Sequence, residues 1–313
     1  MTLYPVPILT NGATHSAEQF RALVKDLARG SEGITSGTDL KVTQLSTPGG
    51  GVQIAEGSGI ILGRVSAFQG AYAARNQGSE TLDIAANGTG ATRSDMVILR
   101  VEDPEYEGSL DPLTDDINYF QVISNVSSSA TTIPDGRTGI PLARIDIPAS
   151  TSTITNAMIT DIRQIANPRR DRNQLTQSPT LLSTEITGSS SVYSYFNTLG
   201  GWNIAIPTWA SKVKIRCDVA GLRLTTANFF GAMRATFGAS LIVQATTIDD
   251  NGGTGTRRIT HFCADTLTIP DAYRGTTQLL RLQASGASGN TGKVSVDPSS
   301  TALYDVEFEE APR

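Results

Sequence analysis

The chain has 313 residues, 18% of them charged, and a formal net charge of −5. That length exceeds one ordinary core, so one large or two smaller domains are expected. The acidic balance argues against non-specific nucleic-acid binding, which needs clustered Lys and Arg to meet phosphates.

Hydrophobic residues make up 39%, aromatics only 6%, and there are 30 glycines. With many Ser and Thr, that mix favours short strands and turns over long helices. The opening MTLYPVPILTNG lacks the basic region and apolar stretch of a signal peptide. No stretch is long enough to span a bilayer. The expectation is a soluble chain, without membrane insertion, that is not exported by the ordinary secretory route.

In chain order, the first element is a short helix. Ser16 can cap it, with Gln19 at the capping-box position. Phe20, Leu23, Val24 and Leu27 recur at helical spacing and predict the packing face. Glu18, Arg21, Lys25 and Asp26 are expected to face away, and Gly30 to stop the helix. Residues 48–63 (PGGGVQIAEGSGIILG) predict two short strands. Their glycines suit tight turns, since neither GxGxxG nor GK[ST] is present to cradle phosphates. Residues 95–101 (DMVILRV) predict the strongest strand of this half. The acidic segment Glu102 to Asp116 lacks calcium-loop spacing and reads as a solvated loop. Strands are predicted again at 119–124 and 140–147, with a turn at Pro134-Asp135-Gly136.

The first region is expected to end near Ala166. Residues 167–180 (NPRRDRNQLTQSPT) read as a polar surface connector. Arg169, Arg170 and Arg172 within it could be solvated or could make a charge-specific contact. Beyond it, 212–219 alternates cleanly, with Val213, Ile215, Cys217 and Val219 on one face. Further strands are predicted at 202–206, 232–237, 241–247, 258–263, 278–283 and 303–309. The expected fold is mainly β. A mixed N-terminal β-rich domain with one short helix (1–166) leads through the linker (167–180) to an antiparallel, jelly-roll-like β-sandwich (181–313).

Catalytic chemistry is sparse. Only His15 and His261 are present, and HExxH, Cys/His metal spacing and GxSxG are absent. No catalytic residue, metal site or cofactor is expected. Cys217 and Cys263 read as buried and unpaired, with a disulfide open to them if their strands are neighbours. A glycosidase needs only two carboxylates, which sequence alone does not mark. Tyr193, Tyr195, Trp202 and Trp209 are the candidate ligand-binding aromatics, for sugar stacking or, for Trp209, as a corner anchor of the core.

Residues 50–59 (GGVQIAEGSG), 69–72 (QGAY), 94–102 (SDMVILRVE), 141–148 (PLARIDIP) and 159–163 (ITDIR) resemble, in this order, N-terminal modules of long-tailed bacteriophage tail and baseplate proteins. Residues 206–215 (IPTWASKVKI) and 233–238 (MRATFG) are similar to the C-terminal β domain of phage minor tail or fibre proteins. The resemblance implies a virion protein of tail or baseplate, assembled in the host cytoplasm beside other tail or baseplate proteins. It implies a first module that attaches, a distal domain that binds host cell-surface polysaccharide, and assembly as a homotrimer. A glycan-cleaving tail depolymerase is one alternative. A capsid decoration or head-fibre protein without receptor binding is the other.

Overall fold

The computed structural model describes residues 7–188 and 192–313. Met1–Val6, part of the segment read for leader features, lies outside the described residues. The chain is mainly β, with one short α-helix among the described residues and several antiparallel sheets in a jelly-roll-like arrangement. No described helix is long and apolar enough to cross a membrane.

The backbone divides into two compact units, Met1–Pro168 with Ala311–Arg313, and Arg169–Glu310. In the first, strands Ile159–Asp161, Gly139–Ile147, Arg93–Val101 and Asn118–Ile123 lie side by side in that order. The run Met96 to Leu99 is continuously apolar because this central strand buries both faces. Val97 and Leu99 enter the main core with Ile54, Ile61 and Ile140, while Met96 and Ile98 enter a smaller one with Ile162. Two three-stranded sheets complete the unit. One joins Gly33–Ile34, Gly57–Leu62 and Ala71–Asn76, and the other joins Val42–Gln44, Gly51–Ile54 and Glu80–Asp83.

The helix forms at Ala17–Leu27 with the capping box in place, Ser16 Oγ accepting from Gln19 N at 3.2 Å. Its orientation corrects the sequence expectation. Phe20 is 46% and Leu27 72% exposed, whereas Arg21 is the buried residue. Two things invert the helix. Gly70 has no Cβ, and one placed there would lie 2.6 Å from the Arg21 backbone. The loops beneath then supply the Arg21 guanidinium with partners: Gln69 O at 2.9 Å, Glu105 Oε2 at 2.8 Å and Tyr106 Oη at 2.9 Å. Asp103 adds a carboxylate at 3.5 Å. A buried charge is tolerated when it is paired and hydrogen-bonded, and periodicity cannot foresee such a pocket. The acidic segment is therefore partly an ion-pair partner rather than wholly solvated.

The second unit is a two-layer sandwich. One sheet runs Arg170–Gln177, Thr301–Glu309, Lys212–Thr225 and Arg257–Thr268, with Lys293–Ser295 also on Lys212–Thr225. The other runs Ser194–Tyr195, Thr277–Gly286, Phe230–Phe237 and Leu241–Ile242. Trp202–Ala205 and Thr246–Asp249 also pair within it. Alternate residues of the facing strands fill the core. Val213, Ile215, Tyr304, Val306 and Phe308 come from the first sheet; Met233, Phe237, Leu280 and Leu282 come from the second. Full burial of each large apolar side chain contributes about 1.5–3 kcal/mol, so the interleaving is the main source of the unit's stability.

The connector reading is corrected in part. Arg170–Gln177 is a strand, paired along its whole length from Arg170 opposite Glu309 to Gln177 opposite Ala302. Its polarity misled because an edge strand over a wet sheet face needs few apolar residues. The three arginines are neutralised within the sheet: Arg169 by Glu310 at 2.6 Å, Arg170 by Glu309 at 3.1 Å and Arg172 by Asp305 at 2.5 Å.

Candidate binding platform

The four candidate aromatics separate into three places. Trp209 is half-buried against the sandwich core, with the Arg169 guanidinium 5.2 Å from its ring centre. Trp202 is 36% exposed and lies opposite Leu280, on the core-facing parity at a sheet rim. Only Tyr193 and Tyr195 come together, on the outward face of the sheet built on Thr277–Gly286 and Phe230–Phe237.

Strand register explains that meeting. Tyr195 lies opposite Gln283, and Gln283 lies opposite Arg234 on the next strand. Arg281 lies opposite Thr236, which in turn lies opposite Ile242. In antiparallel pairs, directly opposed residues share a face, so two adjacent rows run across the sheet. Arg234 stacks on Tyr193 with its guanidinium carbon 3.7 Å from the ring centre, and Arg281 stacks on Tyr195 at 3.7 Å. Arg234 Nε donates to Gln283 Oε1 at 2.9 Å, and Tyr195 Oη and Thr236 Oγ1 are 3.2 Å apart. Gln283 is buried although it belongs to the outer parity.

The arginines are what sequence reading missed. Alone, Arg234 and Arg281 look like ordinary outward polar residues of strands. Their alternation with Met233, Ala235, Leu280 and Leu282 was the available signal, since it places them on the wet face. Register then sets them beside the tyrosines. Among the described residues neither arginine forms an ion pair, and each lies over a tyrosine ring instead. A guanidinium against a ring face keeps its remaining in-plane N–H groups, for Arg234 those other than the Nε–H given to Gln283, available to a planar anion.

The opposite sheet behaves differently. On it, Arg216 meets Asp218 at 2.9 Å, Lys214 meets Glu309 at 3.1 Å and Arg258 meets Asp297 at 2.6 Å. Hydrogen bonds from Arg172 hold the Asp305 carboxyl below the usual carboxylate range. Arg258 does the same to Asp297, Arg257 to Asp250, Lys293 to Glu185 and, in the first unit, Arg137 to Asp135. These groups remain ionised acceptors and do not store a proton for transfer.

His261 is half-buried, with Nε2 2.9 Å from Thr246 Oγ1, and burial pushes its pKa below the ordinary value. Cys217 and Cys263 are buried, free and directly opposite one another, so their strands are neighbours. Among the described residues no three His, Cys, Asp or Glu side chains gather to hold a metal ion.

No family model matches the chain, and no curated protein matches it. Solved structures with detectable similarity include the infectious bursal disease virus VP2 subviral particle, at 14% identity and a TM-score of 0.25, over 90% of this chain and 79% of that one. A viral particle of the same virus, described in terms of icosahedral virus evolution, gives 11% identity and a TM-score of 0.26 over 94% and 83%. The insecticidal delta-endotoxin Cry8Ea1 of Bacillus thuringiensis gives 10% and 0.23 over 92% and 55%. Similarity at these values identifies neither a role nor a partner. These findings are icosahedral-virus particle proteins and a toxin, not tail or baseplate proteins. The expected tail and baseplate family, tail location and tail partners are corrected accordingly, together with the receptor-binding and host-attachment reading that came with them.

Proposed function

We propose that this chain is a non-enzymatic structural protein of a virus particle, in the capsid or capsid-decoration class. Its role would be to hold contacts rather than to turn over a substrate. The observation that supports this best is electrostatic. A glycan hydrolase needs one carboxyl kept protonated near neutral pH, by burial or by a neighbouring carboxylate. Asp135, Glu185, Asp250, Asp297 and Asp305 are all shifted the other way by cationic partners. The half-buried imidazole of His261 is engaged by Thr246. What faces outward on the second sheet is an arginine–tyrosine surface suited to binding. The virion class is what remains of the sequence resemblance once its tail placement is removed.

The test is location. Gold-labelled antibody against the chain should decorate the shell of intact particles, and a reconstruction should place both β units in repeated shell density. Label confined to the tail, or absent from purified particles, would overturn the proposal. Release of reducing ends from polysaccharide by the purified chain would overturn its non-enzymatic part.

A further inference from the structure

We propose that the Tyr–Arg face of the sandwich is a docking site for a second copy of this chain, and that it receives that copy's acidic loop tip Asp111–Asp116. The inference rests on the structural role proposed above and names one contact through which copies would join.

Charge complementarity carries it. On one side stand Arg234 and Arg281, each stacked on a tyrosine and neither ion-paired among the described residues. On the other stand Asp111, Asp115 and Asp116, all exposed and none of them ion-paired among the described residues. The tip is an ordered turn. Asp115 Oδ2 accepts from Asp111 N at 2.8 Å, Asp111 Oδ1 accepts from Leu113 N at 3.0 Å, and Asp115 N donates to Asp111 O at 2.7 Å. Binding such a turn costs less ordering entropy than binding a loose loop.

Shape and polarity agree. Leu113 is 92% exposed at the apex of the tip, between the aspartates. Ile242 is 44% exposed on the docking face, in the same row as Arg281 and Thr236. An apolar apex flanked by carboxylates thus meets a face that carries two guanidiniums and, beside them on the edge strand, an exposed isoleucine. The arginines sit on neighbouring strands two residues out of register, which spaces their backbones by about 7 Å along the strands and about 5 Å across them. A neutral glycan is a poorer occupant, because each tyrosine already gives a face to an arginine.

The contact joins two different surfaces of the same chain, so it is heterologous. Heterologous contacts close into rings or propagate as lattices, which is the assembly mode a shell component needs. Weak individual contacts suffice when many copies engage together.

The experiment uses the full chain and two charge-reversed variants. One carries Arg234→Glu and Arg281→Glu; the other carries Asp115→Lys and Asp116→Lys. Sedimentation velocity over a concentration series, at low and high salt, reads self-association, and thermal unfolding confirms that each variant is folded. The parent should associate, more weakly at high salt, and each variant alone should associate at least tenfold more weakly. Mixing the variants should restore association, because the wild-type tip of one meets the wild-type face of the other. If a variant misfolds, Arg→Gln and Asp→Asn versions replace it. A parent that stays monomeric overturns the inference. So do variants that associate like the parent, or a mixture that restores nothing. Salt-sensitive binding of a soluble uronate polysaccharide that the arginine variant loses, with self-association unchanged, would reassign the face. The inference can fail while labelling still finds the chain in the shell, and the structural role can fail while the copies still associate.

Discussion

Tyr304 lies directly opposite Cys217 across two antiparallel strands, fully buried, and its hydroxyl has no hydrogen-bond partner among the described residues. The row continues from Cys217 to Cys263 on the next strand. A phenol has therefore been placed in the dry centre of a sandwich, where burial pushes its pKa up. An unmade buried hydrogen bond costs about 1–3 kcal/mol, and removing the polar atom while keeping the ring avoids that cost. We predict that Tyr304→Phe stabilises the protein by about 1 kcal/mol. Denaturant unfolding with an unchanged m-value checks it; a loss of stability would show that the hydroxyl is satisfied.

Arg21 should behave in the opposite way. Removing it would leave Asp103, itself only 13% exposed, without its cation and would empty a pocket lined by Tyr72 and Tyr106. Breaking one side of a buried ion pair costs about 3–5 kcal/mol. Arg21→Ala should destabilise the protein by about 3 kcal/mol. Leu27→Ala, on the exposed side of the same helix, should change stability by less than about 0.5 kcal/mol. If the two variants melt alike, the inverted orientation of the helix is wrong.

His261 gives the protein a pH dependence of defined sign. Its folded pKa lies below the ordinary 6.5 because burial disfavours the imidazolium. The unfolded state then takes up a proton first as pH falls, so the stability this site contributes is present above the unfolded pKa. That stability is lost as pH drops through the folded pKa. Between about pH 7.5 and about pH 5 the melting temperature should fall, and His261→Gln should flatten that part of the profile. The carboxylates held low by arginines titrate in a more acidic range and leave this window clear. A melting temperature that rises toward pH 5 would contradict the assignment.

Gly221 tests the bulge that breaks the register of the Lys212–Thr225 strand between Val219 and Leu222. Its φ is +71°, and a Cβ would lie 2.5 Å from Ser299 O. Gly78 also has positive φ, +94°, but open space around it. Gly78→Ala should cost about 1 kcal/mol for the backbone alone. Gly221→Ala should cost distinctly more, because a backbone oxygen cannot swing aside. Equal melting temperatures for the two variants would remove the steric account.

Legibility followed periodicity. The alternation from Val213 to Val219 and from Tyr304 to Phe308 gave both strand position and buried face. The apolar run from Met96 to Leu99 marked a strand, and the structure shows it covered on both sides. Arg170–Gln177 was missed because an edge strand with a wet face has too weak an apolar signal to separate it from a connector. The helix was found but read inside out, since Arg21 is buried by partners dozens of residues away. The tyrosine–arginine face lay between these cases. Tyr193 and Tyr195 were named from composition. Arg234 and Arg281 needed strand register, which no local pattern encodes.

The second unit begins at Arg169 and ends at Glu310, and these two residues are clasped together. Glu310 N donates to Arg169 O at 3.1 Å, while Arg169 N and Nε both donate to Glu310 Oε2. The last three residues then return to the first unit, where Arg313 N donates to Gly37 O at 2.9 Å and its carbonyl accepts from Arg163 Nη2. In genetic terms the sandwich is an insert with adjoining ends. It could be exchanged for another fold whose ends also meet, or re-cut into a circular permutant, while its host keeps a continuous framework on both sides of the splice.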